Sequence, residues 1–236
     1  MSFIIIIIIN YDRGGLEDIV GLLINKKASL HGVECNDGRT AFHYAAILAK
    51  NSDWTDPFGV LKAMLKGGAS VNGTDQKGRT ALHLAVNANR GGADASSEVE
   101  QFLIDSGADV HALDARKRMP LHYAFVKIGQ HAEKSVMDPI DLCSTLTSAM
   151  DDESLKSADE YGQTVLHRAA YRGAGVCCMH LLQKKVDIDV KDNDGNTPLA
   201  LAVQAGQESC TILLLQRNAQ INNNIYIRPP EKTVES

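Results

Sequence analysis

The segment GRTALHLAV at residues 78–86 decides the fold of this chain, because its order of residues recurs along the sequence. Each copy precedes an apolar segment with helical spacing, such as VLKAMLKGGASVN at 60–72. Units repeated in this way bury their apolar faces by stacking on one another. The other copies are GRTAFHYAA (38–46), KRMPLHYAF (117–125), GQTVLHRAA (162–170) and GNTPLALAV (195–203).

Two longer segments carry a family resemblance. DQKGRTALHLAV (75–86) and DNDGNTPLALAV (192–203) are close to DxxGxTPLHLAA, the signature of the ankyrin repeat. The chain therefore resembles the ankyrin-repeat family, and the resemblance covers nearly its whole length. It implies an all-α solenoid of about six helix-turn-helix units with hairpin-like turns, and a role in binding other proteins.

A threonine and a histidine recur at fixed places in the motif. Each Thr lies where a helix N-terminus needs a side-chain oxygen to accept a backbone N–H. In the family this Thr also bonds the following His, so the resemblance implies that the histidines tie neighbouring hairpin turns together. A metal site would need several imidazoles to converge, whereas stacked repeats separate them, so we expect no metal and no cofactor. The residues are Thr40, Thr80, Thr164 and Thr197, with His43, His83, His122 and His167.

The repeats are unevenly spaced. Counted from Thr40, successive intervals are 40, 39, 45 and 33 residues, whereas the family period is about 33. Longer loops between the two helices of a repeat account for most of the excess. Such loops are candidate binding elements, but neutral drift of surface loops also explains them; Trp54, on the first loop, favours contact. The loops are 50–57, 87–97 and 127–139.

The helix that follows each long loop has a predicted start. Asp56 and Asp138 each read as an N-cap, followed by a proline at the first helical position. Ser97 and Glu100 form a capping-box pattern. We therefore expect each helix to restart cleanly after its loop.

The repeat that contains KRMPLHYAF departs most from the motif. Lys117 replaces the turn glycine, where a side chain with a Cβ resists a positive φ. Met119 replaces the capping Thr, which costs about 1 kcal/mol. We expect this repeat to be the loosest.

The repeats predict one ankyrin-like domain over residues 1–222, followed by a flexible tail at 223–236. The run Ile4–Ile9 falls where the first helix of a degenerate N-terminal repeat should be. It has no cap and no small residues, so we expect a truncated or degenerate start, or a preceding stretch that packs on it. The predicted repeats are 1–35, 36–75, 76–114, 115–159, 160–192 and 193–222.

Composition limits the functional class and the compartment. The net charge of −5 over 236 residues disfavours general binding of nucleic acid. The isoleucine run is far shorter than the roughly 20 residues of a membrane helix, and it lacks the basic start and cleavage site of a signal peptide. The five cysteines show no CxxC pair or zinc spacing, so we expect reduced thiols in the cytoplasm or nucleus.

The resemblance places binding at the hairpin tips and on the exposed side of the first helices. The middle of this surface is basic, which fits an acidic peptide or a phosphate group, although a solvated charged rim gives the same pattern. The predicted partner-binding residues are Trp54, Lys77, Arg79, Asn87, Arg116, Lys117, Arg118, Lys127, Tyr161, Tyr171, Arg172, Asn196 and Gln204.

No sequence motif indicates an enzyme. GxSxG, P-loop, HExxH and dinucleotide-binding patterns are all missing from the sequence, so we expect no catalytic residues. The leading hypothesis is a non-catalytic module that binds a protein or peptide. Two alternatives stay open: a regulatory or substrate-recruiting segment of a larger enzyme or channel, such as a ubiquitin ligase component, and a transcription-factor regulator like the inhibitor-of-kappaB family.

Overall fold

The computed structural model describes residues 37–51, 56–88, 97–125 and 139–221. Apart from one isolated antiparallel bridge between Ala158 and Thr164, the described residues are helices and turns, which confirms the predicted all-α class. The helices are α1 (Ala41–Asn51), α2 (Pro57–Lys66), α3 (Ala81–Ala88), α4 (Glu98–Asp105), α5 (Pro120–Tyr123), α6 (Ile140–Ser148), a 3-10 turn (Ser154–Lys156), α7 (Val165–Arg172), α8 (Gly175–Gln183), α9 (Pro198–Gln204) and α10 (Glu208–Gln216).

The chain forms two compact units. Of the described residues, the first unit comprises 37–51, 56–88, 97–125 and 139–151, and the second unit comprises 152–221. The prediction of one continuous domain over 1–222 stays a prediction.

In the first unit, helices pair within a repeat and stack between repeats. Helix α1 packs on α2, α3 on α4, and α5 on α6, while α3 also lies between α1 and α5. Ala45, Ala46 and Ala85 are fully buried, because only a small side chain lets the first helices approach this closely. Leu61 and Leu103 fill the core from the second helices.

The second unit repeats this arrangement with two helix pairs. Helix α7 packs on α8 and α9 on α10, and the two pairs join through α7 with α9 and α8 with α10. Ala170 and Ala202 are fully buried on the first helices, and Leu181 and Leu214 on the second.

The predicted helix starts meet three different outcomes. The Asp56 side chain accepts a hydrogen bond from the Gly59 N–H at 2.8 Å and α2 begins at Pro57, which confirms that start. Helix α4 does begin after Ser97, but no capping box forms there. The Ser97 backbone (φ −95°, ψ 20°) is not in the extended region that an N-cap favours, and its Oγ lies 2.8 Å from Thr145 Oγ1 instead.

The third start is one residue later than predicted. Pro139 is the N-cap of α6, with ψ of 52°, and the helix begins at Ile140. Because a ψ of 52° is not helical, the proline is outside the first turn and the prediction of proline at the first helical position was wrong. Asp138 lies outside the described residues.

The divergent repeat keeps its turn but has a very short helix. Lys117 takes a φ of 56°, close to the 72° of Gly78 at the matching position of the preceding turn. Helix α5 spans four residues from Pro120 to Tyr123. Met119 at its N-cap is buried, and its N–H donates to His122 Nδ1 at 3.2 Å, so the bond from the N-cap backbone to the motif histidine forms here without the Thr hydroxyl.

Several sequence predictions fall outside the described residues. They are Trp54, Lys127, the run Ile4–Ile9 and the tail at 223–236. Among the helices that are described, none has both the length and the apolar character required to cross a bilayer.

Candidate functional site

An aspartate closes each hairpin turn. Asp75 Oδ1 accepts hydrogen bonds from the backbone N–H groups of Lys77 and Arg79, both at 2.9 Å, and the Asp75 N–H donates to the Arg79 carbonyl at 2.9 Å. The turn thus satisfies its own backbone groups, and the side chains at its tip are left for other contacts. The same role belongs to Asp114, Asp159 and Asp192.

Sequence reasoning missed the role of these aspartates. The signal was present, because Asp begins each of the segments DQKGRT, DARKRM, DEYGQT and DNDGNT. Asp side chains commonly accept hydrogen bonds from the backbone two residues further along in a turn.

Neighbouring hairpins are held together by backbone hydrogen bonds. In the first unit, the Gln76 N–H donates to the Asp37 carbonyl at 3.1 Å and the Ala115 N–H to the Lys77 carbonyl at 2.8 Å. In the second unit, the Asn193 N–H donates to the Tyr161 carbonyl at 3.0 Å. Within each unit the spacing of the tips is therefore fixed by the backbone.

The motif histidines join each hairpin to the next one by hydrogen bonds. The Thr80 N–H donates to His83 Nδ1 at 3.1 Å, so Nδ1 is an acceptor and the proton is on Nε2. His83 Nε2 then donates to the carbonyl of Arg118 in the next hairpin at 3.0 Å. His43 and His167 make the matching bonds to the carbonyls of Arg79 and Asn196, which confirms that these histidines tie hairpins together.

Burial keeps these imidazoles neutral. It is the main cause that lowers the pKa values of His43, His83 and His167 below the usual 6.5. A neutral ring is also what the geometry requires, because Nδ1 must accept while Nε2 donates. In the residues that the structure describes, no three His, Cys, Asp or Glu side chains are grouped to hold a metal ion.

The motif threonines divide between two hydrogen-bond partners. Thr197 Oγ1 accepts from the Ala200 N–H at 3.2 Å, as predicted for an N-cap. At Thr40, Thr80 and Thr164 the hydroxyl lies 2.8 to 3.0 Å from the Nδ1 atom of the histidine three residues later. Two of these threonines also accept a backbone N–H as an N-cap does: the His83 N–H donates to Thr80 Oγ1 at 3.5 Å, and the capping box of α7 joins Thr164 and His167.

Two of the predicted binding residues also support the fold. Arg79 Nε donates to Asp75 Oδ2 at 2.8 Å, and Arg118 Nε donates to Asp114 Oδ2 at the same distance. Their side chains are only 12% and 17% exposed. Each therefore neutralises the buried carboxylate that closes its own hairpin.

A tyrosine strengthens the second of these ion pairs. The Tyr123 hydroxyl donates to Asp114 Oδ2 at 2.6 Å and accepts from Arg118 at 2.6 Å. Burial opposes ionisation of Asp114, but the hydrogen bonds from Arg118 and Tyr123 outweigh it and lower the pKa to about 2. Burial and the bond to Asp114 raise the pKa of Tyr123.

The exposed charges at the tips of the first unit are mainly positive. Lys77, Arg116 and Lys117 are exposed, and the backbone bond from Ala115 to Lys77 places their two hairpins side by side. Asp37, the acid of the neighbouring tip, pairs with Arg39 at 3.0 Å. We call Lys77, Arg116 and Lys117 the basic tips.

The second unit presents aromatic and amide groups. Tyr161 at a tip and Tyr171 near the end of α7 are 50% and 45% exposed. Gln204 Nε2 donates to Asn196 Oδ1 at 3.2 Å, and Arg172 is half-buried. We call Tyr161, Tyr171, Arg172, Asn196 and Gln204 the tyrosine-amide face.

The predicted site is thus divided between the units. Asn87 is half-buried on α3 in the first unit. Trp54 and Lys127 lie outside the described residues.

Comparison with known families explains this framework. A model of ankyrin repeats in three copies matches residues 132–225, and a model of the single ankyrin repeat matches 37–76 and 77–115. The chain belongs to the ankyrin-repeat family. The resemblance found in the sequence is confirmed, and with it the repeat architecture. Ankyrin repeats are a protein-interaction module and are not catalytic.

Curated relatives match most of this ankyrin-repeat chain. The poly [ADP-ribose] polymerase tankyrase of Caenorhabditis elegans is 37% identical over 194 residues, which are 80% of this chain and 8% of that protein. Inversin of Mus musculus is 31% identical over 191 residues, 81% of this chain and 15% of inversin. The B-cell lymphoma 3 protein homolog of Mus musculus is 27% identical over 191 residues, which are 80% of this chain and 39% of that protein. The chain spans less than half the length of each.

Proposed function

We propose that this chain is a non-catalytic module that binds a protein or peptide through its hairpin tips and the exposed side of its first helices. The observation that carries the proposal is the aspartate-closed hairpin, which satisfies its own backbone and leaves the tip side chains exposed. Hydrogen bonds between hairpins fix the spacing of these side chains before a partner arrives. Such preorganisation lowers the entropy cost of binding.

In the first unit, the proposed partner surface is the basic tips, and the partner is acidic. Three exposed cations held on adjacent hairpins favour a run of carboxylates or a phosphate group. Arg79 and Arg118 contribute indirectly, since each holds the aspartate under its tip. Because exposed ion pairs are screened, binding here should weaken as salt rises.

In the second unit, the proposed partner surface is the tyrosine-amide face. Tyrosine and arginine supply contact area together with hydrogen bonds and are common at interface hot spots. Asn196 and Gln204 are already bonded to each other, so their amide groups are oriented for a polar contact. Trp54, Asn87 and Lys127 complete the proposed set, and we propose the cytoplasm or nucleus as the compartment.

The coverage of the relatives supports a second form of this function. Since the chain matches 8% of a poly [ADP-ribose] polymerase, the same module would serve as a recruiting or regulatory segment of a larger enzyme. The similarity to the B-cell lymphoma 3 protein homolog leaves a transcription-factor regulator as the other form. In each case the partner surface is the same.

Affinity capture followed by a direct measurement of Kd tests the proposal. We expect Lys77→Glu with Arg116→Glu to weaken binding of a captured acidic partner by at least about tenfold, equivalent to about 1.4 kcal/mol. The matched control is Lys62→Glu with Lys66→Glu, which reverses two exposed charges on α2 of the same unit. Equal effects of the two pairs would show that net charge, and not the basic tips, governs binding.

A second pair of changes tests the tyrosine-amide face. Tyr161→Ala with Tyr171→Ala should weaken the same complex at every salt concentration, since the lost contact is mainly apolar. The charge-reversed pair should lose less at high salt, where the charges are already screened. If neither pair changes Kd, the tips and first helices are not the partner surface.

A further inference from the structure

Two buried sulfur atoms meet inside the second unit, on helices that the proposed binding surface does not use. Cys178 lies on α8 and Cys210 on α10, and their Sγ atoms are 3.9 Å apart. Both side chains are completely buried. The two helices pack directly on each other as the second helices of successive repeats.

The repeat register explains why these two residues face each other. The uninterrupted interval of 33 residues makes Cys177, and not Cys178, the sequence equivalent of Cys210. Adjacent residues on a helix point in different directions, so Cys177 and Cys178 do not face the same neighbour. Cys178 is the one that contacts Cys210.

We propose that Cys178 and Cys210 are a modification site at which a small peroxide forms an intramolecular disulfide. A disulfide has an S–S length of about 2.05 Å, so the two sulfurs need to approach by roughly 1.9 Å from their present contact. Because the two thiols of one chain are already in contact, we expect the intramolecular disulfide to form faster than disulfides between chains.

The chemistry needs only the peroxide as oxidant. One thiolate attacks an oxygen of hydrogen peroxide, the O–O bond breaks, and a sulfenic acid and hydroxide form. The second thiolate then attacks the sulfenic sulfur and displaces its oxygen as hydroxide, and the two protons released when the thiols ionised convert both hydroxides to water. In sum, two thiols lose two electrons and two protons, and the peroxide is reduced to two molecules of water.

The cross-link would add a covalent bond between two repeats that are already held by packed helices and by hydrogen bonds between their hairpins. It would connect the pair α7 and α8 to the pair α9 and α10, closing a loop that includes the hairpin at Asp192. Closing a loop of this length restricts the unfolded chain and stabilises the folded state. The oxidised second unit should therefore unfold at a higher urea concentration, and a reductant should reverse the shift.

The test uses the full chain, dilute hydrogen peroxide, and alkylation of the remaining thiols after unfolding, followed by peptide mass spectrometry. Met179, which is 37% exposed on the same helix, reports by forming its sulfoxide whether the peroxide reached the protein. Cys143, a fully buried thiol in the first unit, should be recovered as the alkylated thiol. The expected product is a reductant-sensitive peptide pair that contains residues 178 and 210.

Three single substitutions identify which cysteines form the disulfide. The cross-link should persist in Cys177→Ala and be lost in both Cys178→Ala and Cys210→Ala, which test the pair from opposite helices. Recovery of Cys178 and Cys210 as alkylated thiols in a sample whose Met179 is oxidised would overturn the proposal. So would a cross-link that survives Cys178→Ala, or disulfides formed only between chains.

Discussion

The hairpins of the two units share one backbone plan and differ in the side chain that closes it. In the first unit, an arginine four residues after the aspartate pairs with it, as Arg118 does with Asp114. In the second unit, amides occupy that position and both contact Asp192: Asn196 Nδ2 lies 3.2 Å from Asp192 Oδ1, and Gln163 Nε2 reaches Asp192 Oδ2 at 3.3 Å. The other aspartate of this unit, Asp159, pairs with Arg168 from α7. At Asp192 the same turn therefore forms with backbone N–H and amide groups as the partners of the carboxylate.

The exposed side chains at the hairpin tips also differ between the two units. The basic tips of the first unit contrast with Glu160, Tyr161 and Asp194, which are exposed at the tips of the second unit. Because the closing bonds are made below the tip, the tip residues are free to vary without loss of the turn. The bonds that stabilise the hairpin are therefore distinct from the exposed tip side chains that a partner would contact.

The largest expected effect distinguishes the two ways of closing the turn. Asp114→Asn should lower the free energy of unfolding by about 3 kcal/mol, because it leaves Arg118 largely buried without its carboxylate. Asp192→Asn keeps an oxygen acceptor and removes no ion pair, so it should cost about 1 kcal/mol. Urea unfolding of the two variants measures the difference, and equal losses would mean that the arginine contributes nothing beyond the amide.

The acid dependence of stability is the next effect. The folded pKa values of His43, His83 and His167 lie below 6.5, so the unfolded chain binds more protons at mildly acidic pH. Their contribution to stability is complete above about pH 6.5 and is lost as pH falls from 6.5 through the folded pKa, at about 1.4 kcal/mol per unit of difference. Asp114, with a pKa lowered from 3.8 to about 2, extends the loss below pH 3.8.

Urea unfolding as a function of pH measures this dependence. His83→Gln should reduce the loss of stability below pH 6.5, since glutamine keeps polar groups at the site but does not titrate. An unchanged slope would show that His83 is not one of the groups that bind protons on unfolding. His111→Gln provides the matched control, because His111 is exposed and is not one of the histidines that join neighbouring hairpins.

Contacts between residues three or four positions apart could be predicted from the sequence, because both residues belong to one short motif. The Asp56 cap followed from short spacing, and the bond between the motif Thr and His was implied by the resemblance to the ankyrin repeat. The capping box at Ser97 was wrong because the hydroxyl of Ser97 meets Thr145, which is 48 residues distant. No local pattern reveals such a contact.

The candidate site was predictable only in outline. The motif placed Arg79 and Arg118 at positions that the family uses for binding, and only their contacts show that each guanidinium holds an aspartate. The contact between Cys178 and Cys210 depends on which way each helix faces its neighbour. Side-chain direction across stacked repeats is a tertiary property, so spacing along the chain did not determine it.

The smallest expected effect on stability concerns the backbone φ angle of Lys117. Lys117 takes a φ of 56° at a position where Gly78 takes 72°, and an L-residue pays about 1 kcal/mol for the left-handed region. Lys117→Gly should therefore raise the free energy of unfolding by about 1 kcal/mol in urea. Lys77→Gly is the control, because Lys77 has no positive φ and added backbone freedom should lower stability there. A loss of stability in Lys117→Gly would mean that the lysine side chain makes a contact worth more than the strain, and that this basic tip is part of the hairpin's own structure.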